Sequence, residues 1–218
     1  MGIIASVVGA TGLVGAEVVS LLCADADVEK VHVVVRRTLT DLRLTRNPKL
    51  IQHVIDFERL DQVSWPRSDV LFCCLGTTIK AAGSQADFRK VDLDYVVESA
   101  RLARRAGASG LVVVSAVGAN AKSNVFYNRT KGEMEAAAAS LGFDSVVIVR
   151  PSLLEGARAE SRFGERLALT VSKLIRPLLP ARFRPVSNQA VARAMIDVAK
   201  KQTHGVAIIE SEQIGHFA

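Results

Sequence analysis

Aromatic residues are scarce in this chain of 218 residues: phenylalanine, tyrosine and tryptophan make up 5%, with two tyrosines and one tryptophan. The basic segments therefore lack the interleaved rings on which nucleotide bases stack. No zinc-finger or ribonucleoprotein signature appears either, so no nucleic-acid partner is expected. Cysteine is nearly as rare. Cys23 in a helical pattern and the adjacent Cys73 and Cys74 in an apolar run fit neither a disulfide framework nor a metal knuckle, so no metal is expected and a reducing cytoplasm is. Long apolar runs are also missing. Hydrophobic residues reach 49%, but Ser, Gly, Thr or a charge interrupts them every few positions, and none approaches the ~18 to 20 residues of a membrane span. A soluble chain with no transmembrane segment is expected. The start, MGIIASVVGATG, runs directly into a strand pattern with neither a basic n-region nor a cleavage site. Gly2 resembles an acylation signal, but residue 6 falls inside that strand, which argues against it.

What is present is a local excess of positive charge. The net charge is +6, and residues 158–201 hold ten Lys or Arg against three Asp or Glu. Such a run is ordinarily a solvated helix face; the alternatives are an anionic ligand, an acidic protein partner, a membrane surface or a polyanion.

Short apolar runs alternate with helical patterns along the chain. IIASVV, VHVVV, LIQHVI, DVLFCCL, GLVVVS and SVVIVR read as strands, and their lack of strict alternation suits strands buried on both faces of a parallel sheet. Helices are predicted near 13–24, 84–106 and 127–141, then near 162–176 and 187–201 before a late strand GVAIIE. This order means an α/β fold with a doubly wound parallel sheet. Residues 1–218 are read as one domain, with 152–218 forming a small cap on the substrate side of the sheet's carboxyl edge.

GATGLVG places Gly9, Gly12 and Gly15 between the first strand and the first helix, with Thr11, Leu13 and Val14 among them. Glycines there allow a tight turn and close backbone approach to a pyrophosphate, which the helix N-terminus stabilises; this is the nucleotide-binding signature of a Rossmann fold. Where NAD-preferring sites carry an acidic residue at the end of the second strand, this chain has Arg36 and Arg37. Two guanidinium groups suit a 2′-phosphate, so NADP(H) is preferred over NAD(H), the alternative being a pair of exposed arginines. Asp56 is placed either to accept from the adenine amino group or to cap a helix. Gly76, within CCLGTT, stands where a side chain would obstruct the cofactor ribose, unless the segment is a simple turn.

Ser115 ends the fifth strand, and Tyr127 and Lys131 lie one turn apart at the start of the next helix, so they share a face. A tyrosine hydroxyl with a free pKa near ~10 is a poor acid-base catalyst at neutral pH. A neighbouring ammonium, together with a positive nicotinamide, is expected to lower it. Ser115 would then hydrogen-bond a substrate oxygen.

With GATGLVG, Ser115 and YNRTK, the chain resembles the short-chain dehydrogenases/reductases. The segments DVLFCCLGTT, FRKVDLDYV, SNVFYNRTKGEME, VIVRPSLL and AESRFGERL are similar to an atypical branch, the oxidoreductases like the human Tat-interacting tumour suppressor. That resemblance implies NADPH contacts at Leu75, Gly76, Thr77, Tyr127, Lys131, Pro151, Leu154 and Arg162, with Arg36 and Arg37 on the 2′-phosphate. It implies hydride exchange with a small carbonyl or alcohol, or, as the alternative, an NADPH-binding regulatory or sensor protein. Ala116 departs from the branch, where a second serine follows the first. Arg158, Arg162, Arg166 and Lys173 would favour an anionic substrate. A protein partner at the basic C-terminal part, and a monomer or homodimer, are both compatible with the sequence.

Overall fold

The computed structural model describes residues 2–41, 45–155, 180–201 and 203–217. Seven strands form one sheet: β1 (Ile3–Val8), β2 (Val28–Val35), β3 (Leu50–Val54), β4 (Val70–Cys73), β5 (Gly110–Val114), β6 (Ser145–Arg150) and β7 (Gly205–Glu210). Their order is β3-β2-β1-β4-β5-β6-β7 and every pairing is parallel. The direction of winding reverses between β1 and β4, which opens a crevice beyond their carboxyl ends.

The helices bury apolar stripes against the two faces of the sheet. On one side α1 (Leu13–Ala24) turns Val14, Val18, Val19 and Leu22 inward, the i, i+4, i+5, i+8 spacing of a helical face. Each such side chain contributes roughly 1.5–3 kcal/mol when fully buried. Beside it packs a late helix, Asn188–Lys200, capped by Ser187, whose hydroxyl accepts from the Ala190 amide. On the other side lie two helices. The first, α2, runs on through Gln85–Arg89, a π-turn at Lys90–Asp94 and Tyr95–Arg105; the second, α3, is Phe126–Ala139. The late helix is α4.

Three differences from the sequence-based expectation follow from packing. β2 begins at Val28, three residues before the apolar run, because pairing with β1 already sets Val28 opposite Ile3 and the exposed Lys30 opposite Ile4, with the register shifting at Glu29. β3 and β7 are edge strands, and Ile51, Val54, Val206 and Ile208 stay exposed on them rather than buried on both faces. Residues 188–210 do not cap the sheet: α4 and β7 complete its last crossover, so a cap would be confined to the stretch from Ser152 to Ser187. Within that stretch Leu154–Glu155 pairs with Val186–Ser187. The helix predicted near 162–176 lies outside the described residues. Among the described residues no helix is long and apolar enough to cross a membrane.

Near the β3 edge, His32 Nδ1 and His53 Nε2 lie 2.9 Å apart on adjacent strands. Burial lowers the pKa of both imidazoles, and for His32 the positive charge at His53 and Lys30 adds to the effect. The unfolded chain therefore binds more protons than the folded one as pH falls through the ordinary histidine value of ~6.5. Stability present above that value is lost on acidification towards the lowered folded values. The melting temperature should fall between about pH 7 and pH 5, and should fall less in His53→Gln. A slope unaffected by His53→Gln would contradict this account of the pair.

Candidate functional site

The turn from β1 into α1 is built by close backbone approach. Gly9 has φ 77°, and a Cβ there would lie 2.4 Å from the Cys74 carbonyl; at Gly15 it would lie 2.1 Å from the Gly9 carbonyl oxygen. No L side chain fits either position without moving the backbone. The Gly12 amide donates to the Gly9 carbonyl at 2.9 Å, and the first helical bond runs from Ala16 to Gly12. The amides of Leu13, Val14 and Gly15 are thus left without an acceptor inside the helix. No side chain caps this end and no acidic residue stands in the first turn. Free amides and the positive end of the helix dipole suit a pyrophosphate. The Val14 side chain is in the core, so its amide is what it offers.

In front of this turn a cavity of about 800 Å³ opens along the carboxyl ends of β1, β2 and β4. It gathers Gly9, Thr11, Gly12, Arg36, Arg37, Leu75, Gly76 and Thr77 from the predicted set. An adjoining cavity of about 470 Å³ is lined by Arg36 and Asp56. Asp56 does cap a helix: its Oδ1 accepts from the Glu58 amide at 2.9 Å and starts the short helical segment Phe57–Gln62, while the residue also lines the adjoining cavity. Glu58, Lys90 and Tyr95 also line the main cavity and were missed in the sequence. Glu58 pairs with Lys90 and accepts from the Tyr95 hydroxyl.

Lys131 lies beneath the cavity floor. A Cβ at Gly76 would sit 3.9 Å from its Nζ, so Gly76 covers the amine. The Lys131 side chain is 5% exposed and its Nζ lies 2.8 Å from Oδ1 of Asp92, itself 1% exposed. Oδ2 of Asp92 accepts from the Thr77 amide at 2.8 Å. Asp92 was not anticipated; it lies in the π-turn of α2, a feature frequent at functional sites.

Tyr127 opens α3, half-buried, with its ring centroid 5.4 Å from that of Phe88. Lys131 acts on the phenol in the expected direction but is outweighed in the protein without cofactor. Burial raises the Tyr127 pKa, Lys131 pulls it down, Asp92 pushes it up, and the net result is above the ordinary value. Lys131 is itself disfavoured as an ammonium by burial, but Asp92 and other neighbours hold its pKa above normal. Ser115 directly follows β5 at 4% exposure, its amide donating to the Val149 carbonyl at 2.7 Å while its hydroxyl finds no hydrogen-bond partner among the described residues. A buried hydroxyl without a partner costs stability unless something else meets it.

The loop from Ser115 to α3 is held by another close approach. A Cβ at Gly132 would lie 2.1 Å from the Ala121 amide nitrogen. Gly132→Ala should therefore lower stability by about 1–3 kcal/mol, read as a lower denaturation midpoint; an unchanged midpoint would contradict the packing. Nearby, Arg150 makes a bidentate contact with Glu135, at 2.9 and 2.6 Å, and reaches Glu210 at 2.8 Å, tying β6, α3 and β7 together next to the buried Pro151. The Pro151 carbonyl accepts from the Val117 amide. Leu154 is half-buried in the short strand pair. Arg162, like Arg158, Arg166 and Lys173, lies outside the described residues.

Comparison with known proteins gives this geometry a family. Residues 4–128 match the family model of the semialdehyde dehydrogenase NAD-binding domain. The mitochondrial protein FMP52 of Candida albicans is 33% identical over 209 residues, covering 91% of this chain and 89% of the relative. The protein HTATIP2 of Rattus norvegicus is 39% identical over 164 residues, covering 74% and 67%. Among solved structures, the ADP-L-glycero-D-manno-heptose-6-epimerase of Helicobacter pylori matches with a TM-score of 0.70 at 16% identity, over 96% of this chain and 77% of that one. WbmH of Bordetella bronchiseptica, in complex with NAD+, matches at 0.69 and 15%, over 96% and 75%. These two likenesses concern the fold. The chain belongs to the NAD(P)-binding oxidoreductases of Rossmann fold, in the atypical short-chain dehydrogenase/reductase branch that holds the FMP52 and HTATIP2 proteins.

Proposed function

We propose that the protein is an NADP(H)-dependent oxidoreductase acting on a small carbonyl or alcohol substrate. The observation that carries this reading is the continuity of one cavity, from Arg36 and Arg37 at the end of β2, past the uncapped α1 terminus, to Gly76 above the buried Lys131. Such an arrangement has positive charge for a 2′-phosphate at one end and a proton-handling group at the other. A bound nicotinamide cofactor supplies the hydride that adds to or leaves the carbonyl carbon. Arg36 and Arg37 bind the 2′-phosphate, the α1 amides hold the pyrophosphate, and Lys131 holds the ribose beside Gly76. Ser115 donates its unpaired hydroxyl to the substrate oxygen. Tyr127 gives that oxygen its proton in reduction and takes it back in oxidation, so charge and protons balance in both directions.

Purified protein mixed with NADPH should oxidise it in the presence of at least one member of a panel of small aldehydes and ketones. If NADPH binds selectively and none of the panel is reduced, the enzyme reading loses to a second one, an NADPH-occupancy sensor. Location is proposed as cytoplasmic on the three unpaired thiols, although the Candida albicans relative is named as mitochondrial; cell fractionation decides between them.

A further inference from the structure

Two helices face each other across the proton-handling group with matched spacing. α2 presents Phe88 and, one turn later, Asp92; α3 presents Tyr127 and, one turn later, Lys131. The Phe88 and Tyr127 rings lie in contact, and Asp92 and Lys131 form a buried ion pair. A buried carboxylate is costly unless its oxygens are met by charge or donors, and here both are, by the ammonium and by the Thr77 amide. A neutral asparagine would serve the Thr77 bond equally well. The carboxylate charge is what needs explaining.

We propose that Asp92 is a positioning residue that keeps the Tyr127 phenol in its proton-bearing form, by compensating the Lys131 ammonium one helical turn away while fixing the Gly76–Thr77 turn above it. Burial disfavours phenolate most, and without Asp92 the opposite pull of the ammonium on the phenol goes uncompensated. With it, the local set of carboxylate, ammonium and phenol is neutral, and losing the phenolic proton leaves a net negative charge in a buried place. Among the described residues, the titratable and charged groups that act on the phenol are Lys131 from its own helix and Asp92 from α2. Cys73, from β4 beneath, interacts with both. Its thiol is pushed up to about 12 by burial and stays neutral. A phenol held protonated is a ready donor, so the site is set for carbonyl reduction, and alcohol oxidation gains as pH rises. This last consequence rests on the oxidoreductase reading; the proton affinity of Tyr127 does not.

The test is a titration of ζ-carbon-labelled tyrosine by nuclear magnetic resonance in the full chain. Its two tyrosines, Tyr95 and Tyr127, are told apart with Tyr95→Phe. In the wild type the Tyr127 signal should not titrate below the ordinary phenol value of about 10. In Asp92→Asn, which retains an acceptor for the Thr77 amide, the phenol should lose about tenfold or more in proton affinity, and the alkaline limb of any carbonyl-reduction profile should move down with it. An unchanged or raised titration in Asp92→Asn overturns the proposal. Should that variant fail to fold, Asp92→Ser, which also removes the charge and keeps an acceptor, takes its place with the same two outcomes, and phenolate appearing below the ordinary value in the wild type overturns the proposal. Because the resonance reads no turnover, a protein that reduces no carbonyl but shows the expected titrations defeats the oxidoreductase reading and leaves this inference standing.

Discussion

Tyr127→Phe should lower hydride transfer by about 100- to 10,000-fold, the range ordinarily supplied by a positioned acid-base group, while NADPH affinity changes by less than about threefold. The substitution removes one hydroxyl and keeps the ring that packs against Phe88. Asp92 and Lys131 hold one another and the Thr77 amide independently of the phenol, so the floor of the cavity should be undisturbed. The separation of the two readouts is what identifies proton transfer. Loss of activity with equal loss of cofactor affinity would mean that Tyr127 is part of the binding surface, and full activity would remove it from the chemistry.

Arg36→Ala combined with Arg37→Ala should weaken NADPH by about 100-fold and NADH by about threefold or less. A hydrogen bond to a charged group is worth about 1.5–3 kcal/mol, and both guanidinium groups are exposed at the rim, so the two together are set at about 2.7 kcal/mol, a factor of 100. NADH lacks the 2′-phosphate and gives the arginines little to bind. Glu58 does not alter this expectation, since its carboxylate is already engaged by Lys90 and Tyr95. Equal weakening of both cofactors, measured by fluorescence titration, would show that the arginines act on some other part of the ligand.

The fold was legible because the inner strands β1, β4, β5 and β6 are compact apolar runs followed within three residues by Gly, Ser or Pro, and helical periodicity changes the pattern between them. The glycine positions were legible for a stricter reason: Gly9 and Gly15 stand where a Cβ would collide with backbone, so the residue type itself records the geometry. The Ser115, Tyr127 and Lys131 set could be picked out from its spacing. Asp92 was not, because its partner Lys131 lies on another helix, brought close only by the fold. What the sequence did hold was a carboxylate on an apolar stripe, between Phe88 and Val96, and an acid at a core position invites the question of its counter-ion. The C-terminal part was misread for a related reason. Amphipathic helix and short strand look alike in a cap and in a crossover, and only the pairing of Gly205–Glu210 with β6 separates them.

The central claim is that this site moves hydride between a nicotinamide and a carbonyl carbon. Its most direct measurement is the fate of deuterium from NADPH labelled at the transferring position, incubated with the wild-type protein and the carbonyl panel and followed by mass spectrometry of the alcohols. The account predicts deuterium on the carbinol carbon of at least one product, and none when Tyr127→Phe replaces the wild type for the same time. Tight binding of the labelled NADPH with no deuterium in any alcohol would contradict it.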